Sequence, residues 1–304
     1  MTTHPYLGAY ALVAGLDADA TLATYRALAD LPIAGLEVPL AAASAGDEWW
    51  ETHVDAAWDL VVTAVPTVMQ RLAQDPGYGL ASDDEDGRRA ALDDVAAAAA
   101  LARDLAQRSG RARVRAVQVH SAPRAPRCTP DALARSLDAI DRLDLSGALV
   151  AIEHCDATRP GRAPEKGFLE LDEELKVLDG RAQRLTVNWG RSAIEGRSAA
   201  TPVEHVRAAA SVGLLGGVML SGATDVASAW GPAWQDGHIA PRGDDPALAP
   251  SSASLLGPDE VRATLAAAAG QAVYLGVKIT VDPGLTDPAG RVAVARAALA
   301  QLAS

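Results

Sequence analysis

Seven polar residues interrupt runs that are otherwise apolar: Glu37, Thr63, His120, Glu153, Asn188, Ser221 and Lys278. Two carboxylates, an imidazole, an amide, two hydroxyls and an ammonium are the groups that move a proton next to a carbonyl and steady the enolate that forms. An apolar strand has no packing use for them, so each interruption is a candidate for chemistry. Inward positions recur every second residue along a strand. Phasing each run by its polar member places all seven near C-terminal strand ends, facing one common interior.

Taken singly the residues allow more than one role. Glu153 opens Glu153-His154-Cys155-Asp156, with Val150 and Ile152 in the outward phase. It points inward as metal ligand, general base or lysine partner; a buried ion pair with Lys278 is the plain alternative. Lys278 forms a Schiff base if burial depresses its pKa, or anchors a carboxylate as a fixed charge. His154 and Asp156 stand at a loop start, within reach of substrate. Asn188-Trp189-Gly190-Arg191 joins an amide, a stacking ring and a guanidinium, a set suited to carbohydrate, although Trp189 and Arg191 also read as surface packing. Asp236-Gly237-His238 offers two ligands that, with Glu153, suit a divalent ion, or else a polar lid. His4, His53 and His205 fall in terminal or helical stretches and read as surface residues. Neither Cys128 nor Cys155 has the neighbours of a nucleophile, and no Gly-x-Ser-x-Gly elbow or Walker loop occurs.

The elements that must position these groups alternate in type. β-type runs cover Leu7–Val13, Ala34–Leu40, Leu60–Pro66, Val114–Ala122, Ala148–Cys155, Arg184–Trp189, Gly217–Gly222 and Tyr274–Val281. Between them lie Ala/Leu-rich helical stretches, beginning with Asp47-Glu-Trp-Trp-Glu and opening at Thr129-Pro, Thr201-Pro, Gly257-Pro and Asp287-Pro, where proline suits a first helical turn. Eight strand–helix alternations predict an α/β fold, a single (β/α)8 barrel over 1–304, since parallel strands need helical crossovers. An open doubly wound sheet is the rival, but no strand-terminal Gly-x-Gly-x-x-Gly supports it. The stretches 67–89 and 223–257 exceed ordinary βα loops and read as lids on the active face. Ser221-Gly222-Ala223-Thr224 is a weak candidate for gripping a phosphate. Val95–Ala102 reads as one solvated helix.

Composition bounds the partners. The 304 residues carry 27 basic and 39 acidic side chains, a net charge of −12. That sign disfavours phosphate backbones and anionic membranes. Two cysteines make no disulfide framework, no apolar run is long enough to span a bilayer, and the N-terminus lacks a signal-peptide pattern, so a reduced cytoplasmic protein is expected. A homo-oligomer is admitted.

Four segments carry a likeness: Ala116-Val-Gln-Val-His-Ser-Ala-Pro, Ile152-Glu-His-Cys-Asp, Val187-Asn-Trp-Gly-Arg-Ser-Ala-Ile-Glu and Trp234-Gln-Asp-Gly-His. With Gly79-Leu-Ala-Ser-Asp-Asp-Glu-Asp-Gly-Arg they resemble the bacterial domain-of-unknown-function family 4862 over nearly the full chain. That family resembles the xylose-isomerase-like TIM barrels, which implies a barrel and a sugar-like substrate. It also implies a divalent metal held by a strand-five Glu, a strand-six Asp, a strand-seven His and a strand-eight Glu. Glu153 matches the first, but Asn188, Ser221 and Lys278 stand at the other three, so a metal is left open and not favoured. The expected activity is isomerisation or epimerisation of a sugar or sugar acid. Glu153 is the expected base, His120 or Lys278 the acid, and Lys278 or Asn188 the support for the enolate oxygen. Glu37, Trp189, Arg191, Ser221, Asp236 and His238 are expected to position substrate. A lysine-dependent aldolase or lyase, and a non-catalytic sugar- or partner-binding barrel, are the alternatives.

Overall fold

The computed structural model describes residues 4–43, 49 and 52–303. The strands are β1 (Tyr6–Leu7), β2 (Gly35–Pro39), β3 (Asp59–Thr63), β4 (Val114–Val119), β5 (Leu149–His154), β6 (Arg184–Asn188), β7 (Leu215–Leu220) and β8 (Tyr274–Val277). Each pairs in parallel with the next, and Tyr6 opposite Gly276 closes β8 onto β1. The expected barrel is present, with helices around it. No helix among the described residues is long and apolar enough to cross a membrane.

Four helices matter most here: α7 (Leu171–Leu178), α8 (Trp189–Gly196), α9 (Thr201–Ser211) and, preceding them in the chain, α5 (Glu85–Ser109). Among the described residues the other α-helices bounded at both ends are α1 (Ala9–Leu12), α2 (Ala18–Ala27), α3 (Leu40–Ala43), α4 (Val65–Gln74), α6 (Pro130–Ile140), α10 (Pro258–Ala268) and α11 (Pro288–Ala300). In α5 the Asp84 side chain caps the first turn and Gly110 takes the left-handed conformation past the last. Its Ala91, Val95, Ala98, Ala102 and Leu105 are buried at helical spacing, so the Ala-rich stretch is a packed stripe rather than a solvated helix.

Several boundaries differ from expectation. The first run stops at Leu7, because Gly8 breaks it and the Ala/Leu-rich Ala9–Leu12 forms α1. Trp189 opens α8 and does not extend β6. Most of 67–89 is not a lid: α4 fills it to Gln74 with Val65 and Val68 buried, and α5 begins at Glu85. The loop 223–257 is largely irregular, but its second half is built into the fold. There Ile239 bridges Gly222 and Thr280, and Arg242 donates to the carbonyls of Ser254 and Leu255. The Asp47-Glu-Trp-Trp-Glu stretch lies outside the described residues except Trp49, on whose ring half-buried His53 stacks.

The barrel interior divides into a floor and a mouth. The floor packs Tyr6, Val61, Ala116, Met219 and Tyr274. Tyr274 spans it because Gly217 opposite has no side chain; a Cβ there would sit 2.3 Å from the ring. Its hydroxyl lies 2.5 Å from Thr186 Oγ1 and accepts from Gln118 Nε2 at 3.2 Å, which gives three of the enclosed polar groups a partner.

Candidate active site

The mouth is built from strand ends and is centred on Glu153. Alternation along β5 sends Glu153 inward, where it is wholly buried. Oε1 accepts from Asn188 Nδ2 at 3.0 Å and faces Lys278 Nζ at 3.9 Å. Oε2 lies 2.9 Å from His120 Nε2 and 2.7 Å from Arg191 Nη1. Burial alone would push this carboxyl up, but the charges of Arg191 and Lys278 and the His120 hydrogen bond hold it well below its ordinary range. Glu153 is therefore an anion with every oxygen engaged.

Glu37 on β2 is shifted in the opposite direction. Burial raises its pKa and neighbouring Glu153 adds to the rise, against the pull of Lys278 and Arg191. Its Oε1 accepts from Lys278 Nζ at 3.5 Å; its Oε2, 3.3 Å from the same nitrogen, accepts no hydrogen bond. Gly8 makes this approach feasible, since a Cβ there would meet Lys278 Cγ at 3.0 Å and Glu37 Oε2 at 3.1 Å. Burial opposes charge on Lys278, yet Glu153 and Glu37 keep its ammonium protonated, and the Tyr10 ring lies 5.4 Å beneath it. Burial also lowers the His120 pKa despite Glu153, which leaves a neutral ring whose Nδ1 has no partner.

Above this cluster two loops meet. Asp236, from the loop after β7, accepts from Arg191 Nε at 3.3 Å and from Lys166 Nζ at 3.1 Å; Lys166 belongs to the loop after β5. Those cations, together with His238, outweigh burial and hold Asp236 far below its usual range. His238 Nδ1 lies 3.2 Å from Asp236 Oδ1 and 2.7 Å from Ser221 Oγ, and burial lowers its pKa to about 4. Trp234 and His238 both adopt positive φ, so the latch segment holds two residues in a conformation that ordinary side chains disfavour. Glu37, His120, Glu153, Asn188, Arg191, Ser221 and Lys278 are all at most 1% exposed. The site is closed.

The ring of strand-end residues thus converges with one departure, Thr63, and the expected stacking ring of Trp189 lies apart from it. Thr63 is buried, but its hydroxyl accepts from Val65 at the start of α4 instead of joining the cluster. Trp189 is wholly buried in the apolar core and offers no face for stacking, because its place is the first turn of α8. The Gly222 amide is spent on the Ile239 carbonyl, so the suggested phosphate grip loses a donor. His205, expected at the surface, is 9% exposed and its Nδ1 lies 3.0 Å from Ser192 Oγ. Sequence reasoning missed Lys166 and Tyr10. A lone Lys in a loop gives no spacing signal, and Tyr10 was hidden by the over-long first strand.

A divalent ion fits this mouth poorly. Both Glu153 oxygens face cations, Lys278 is a buried cation on the strand-eight side, and Asp236 and His238 are committed to Arg191, Lys166 and Ser221. An ammonium and a guanidinium at these distances repel a second cation.

The profile of the family described as "Domain of unknown function (DUF4862)" matches residues 6–294. An uncharacterised protein of Salmonella typhimurium is 39% identical over 227 residues, 70% of each chain. Among solved structures, D-psicose 3-epimerase crystallised with D-fructose superposes with a TM-score of 0.60 at 14% identity, covering 98% of this chain and 97% of that one. A Salmonella typhimurium protein containing a xylose isomerase domain gives 0.59 at 11% identity, over 100% and 98%. At such identities the likeness establishes the fold. The chain belongs to the DUF4862 family, and its fold is a xylose-isomerase-like TIM barrel.

Proposed function

We propose that this protein is an isomerase or epimerase of a sugar or sugar acid, moving a proton next to a carbonyl without a divalent metal in the barrel mouth. The observation that carries the reading is the pair of buried carboxylates around one ammonium, shifted in opposite directions. Glu153 is ionised and Glu37 is pushed toward its acid form, with Lys278 between them. Environments that drive two carboxyls apart are how one site supplies both a base and an acid.

Lys278 polarises the carbonyl oxygen and stabilises the enolate, with Asn188 as the amide donor. Glu153 is a poor base while Arg191 neutralises it. A substrate carboxylate or hydroxyl that draws Arg191 away leaves Oε2 with the His120 hydrogen bond alone and raises its proton affinity, so binding and base activation are coupled. Glu37 or neutral His120 returns the proton. A Schiff-base mechanism fits less well, because the carboxylates around Lys278 oppose the neutral amine it requires.

The test is a panel of aldoses, ketoses and sugar acids incubated with the enzyme in deuterium oxide. Solvent deuterium is expected on the carbon beside the carbonyl. Lys278→Met should lower turnover by about 10²- to 10³-fold. Full activity in Lys278→Met, or borohydride trapping of substrate on Lys278, would overturn the assignment.

A further inference from the structure

Directly behind Glu153, on the outer face of β5, lies a second polar cluster that the mouth does not use. His154 is wholly buried; its Nδ1 lies 2.7 Å from Glu174 Oε2 on α7, and its Nε2 lies 3.0 Å from Glu195 Oε2 on α8. His205 on α9 packs edge-on against His154, the ring centroids 5.1 Å apart. One donor atom from each of His154, Glu195 and His205 lies within 4.8 Å of the others. Two imidazoles and a carboxylate form the N/N/O set that suits zinc and similar borderline divalent ions.

The surrounding shell is also of the right kind. Metal-bound histidines usually donate the other ring N–H to a carboxylate or similar acceptor, which fixes the ring. Glu174 does this for His154 Nδ1, and is itself steadied by Ser121 Oγ at 2.5 Å. Ser192 Oγ touches His205 Nδ1. The cation now bonded to Glu195 is Arg159, which is 37% exposed and has Glu170 as a second partner at 3.3 Å. It can turn outward and release Oε1 to an ion, while Oε2 keeps the Ala157 amide at 3.0 Å.

We propose that His154, Glu195 and His205 form a binding site for a divalent transition metal such as Zn²⁺, outside the barrel and separate from the catalytic mouth. His154 Nε2 and Glu195 Oε2 share one hydrogen bond at 3.0 Å, so an ion that enters between them displaces the proton of that bond to solvent. The ion clamps β5 to α8 and α9 from behind, immediately next to the strand position that carries Glu153.

The test uses the full chain, dialysed against EDTA and titrated with Co²⁺ as a spectroscopic probe and with Zn²⁺ in a calorimeter. One equivalent is expected, with visible absorption of nitrogen-ligated Co²⁺ and one proton released, read from two buffers of different ionisation heat. His205→Ala and Glu195→Gln should each weaken binding by about 100-fold or more, with circular dichroism confirming the fold. His238→Ala, in the mouth, should leave it unchanged. No uptake of Co²⁺ or Zn²⁺, or uptake lost in His238→Ala and retained in His205→Ala, overturns the proposal.

Discussion

The two faces of β5 carry opposite hubs one residue apart. Inside, Glu153 is an anion gripped by His120, Asn188, Arg191 and Lys278. Outside, His154 is a cation gripped by Glu174 and Glu195. Burial works against both charges, and in each case the partners overcome it. The inner hub draws its partners from strand ends and the α8 start, where under the proposed function substrate would displace them. The outer hub draws its partners from helices that pack permanently on the strand. A buried charge is thus an adjustable part of the mouth in one case and a fastening for the barrel wall in the other.

The largest effect should come from emptying the inner hub of charge. Glu153→Gln leaves Arg191 and Lys278 buried beside each other without their shared anion. Breaking a buried pair from one side costs about 3–5 kcal/mol, readable in urea unfolding. A loss below about 1 kcal/mol would show that the cations relax to water and that Glu153 is no hub.

A smaller effect is expected outside. His154→Gln should cost about 1.5–3 kcal/mol, since Arg159 and Ser121 remain to hold the carboxylates. Its pH signature is more telling. Burial lowers the His154 pKa, but Glu174 and Glu195 raise it to about 10, above the ordinary value of 6.5. The folded state therefore binds this proton more tightly than the unfolded chain does. Its contribution is fully present below pH 6.5 and is lost as pH rises toward 10. Unfolding midpoints measured across that range should fall in the natural protein and flatten in His154→Gln. An unchanged slope would assign the proton elsewhere.

The smallest effect concerns the latch over the mouth. A double-mutant cycle between Lys166→Ala and Asp236→Asn should give a coupling of about 0.5–1 kcal/mol in stability. The same pair should expose the mouth, seen as faster hydrogen exchange at the backbone amides of β5 and β6. Equal exchange in both proteins would make the latch a fixed wall.

Particular residues show where sequence reading succeeds. The two-residue period put Glu153 inward and brought Glu37, Asn188 and Lys278 to the same end, but His154, read at a loop start within reach of substrate, ends β5 and turns to Glu174 and Glu195 behind it. The reading failed at Trp189, where the strand pattern ran on into a helix, and at 67–89, where Asp75-Pro76-Gly77 masked the amphipathic turn before it. His205 looked like a surface helical residue because its partners lie on other elements.

Alternation of type along the chain is a local property, so the amino-acid order alone specified eight strands, their helices and the inward ring. Which groups neutralise one another is not local. Lys278 meets Glu37 across 241 residues of chain, and Lys166 meets Asp236 across 70. The charge on Lys278, the upward shift of Glu37 and the raised pKa of His154 all follow from such meetings. Only barrel closure sets those distances, because a pKa depends on where the partner charge sits and on how much water the closed mouth excludes.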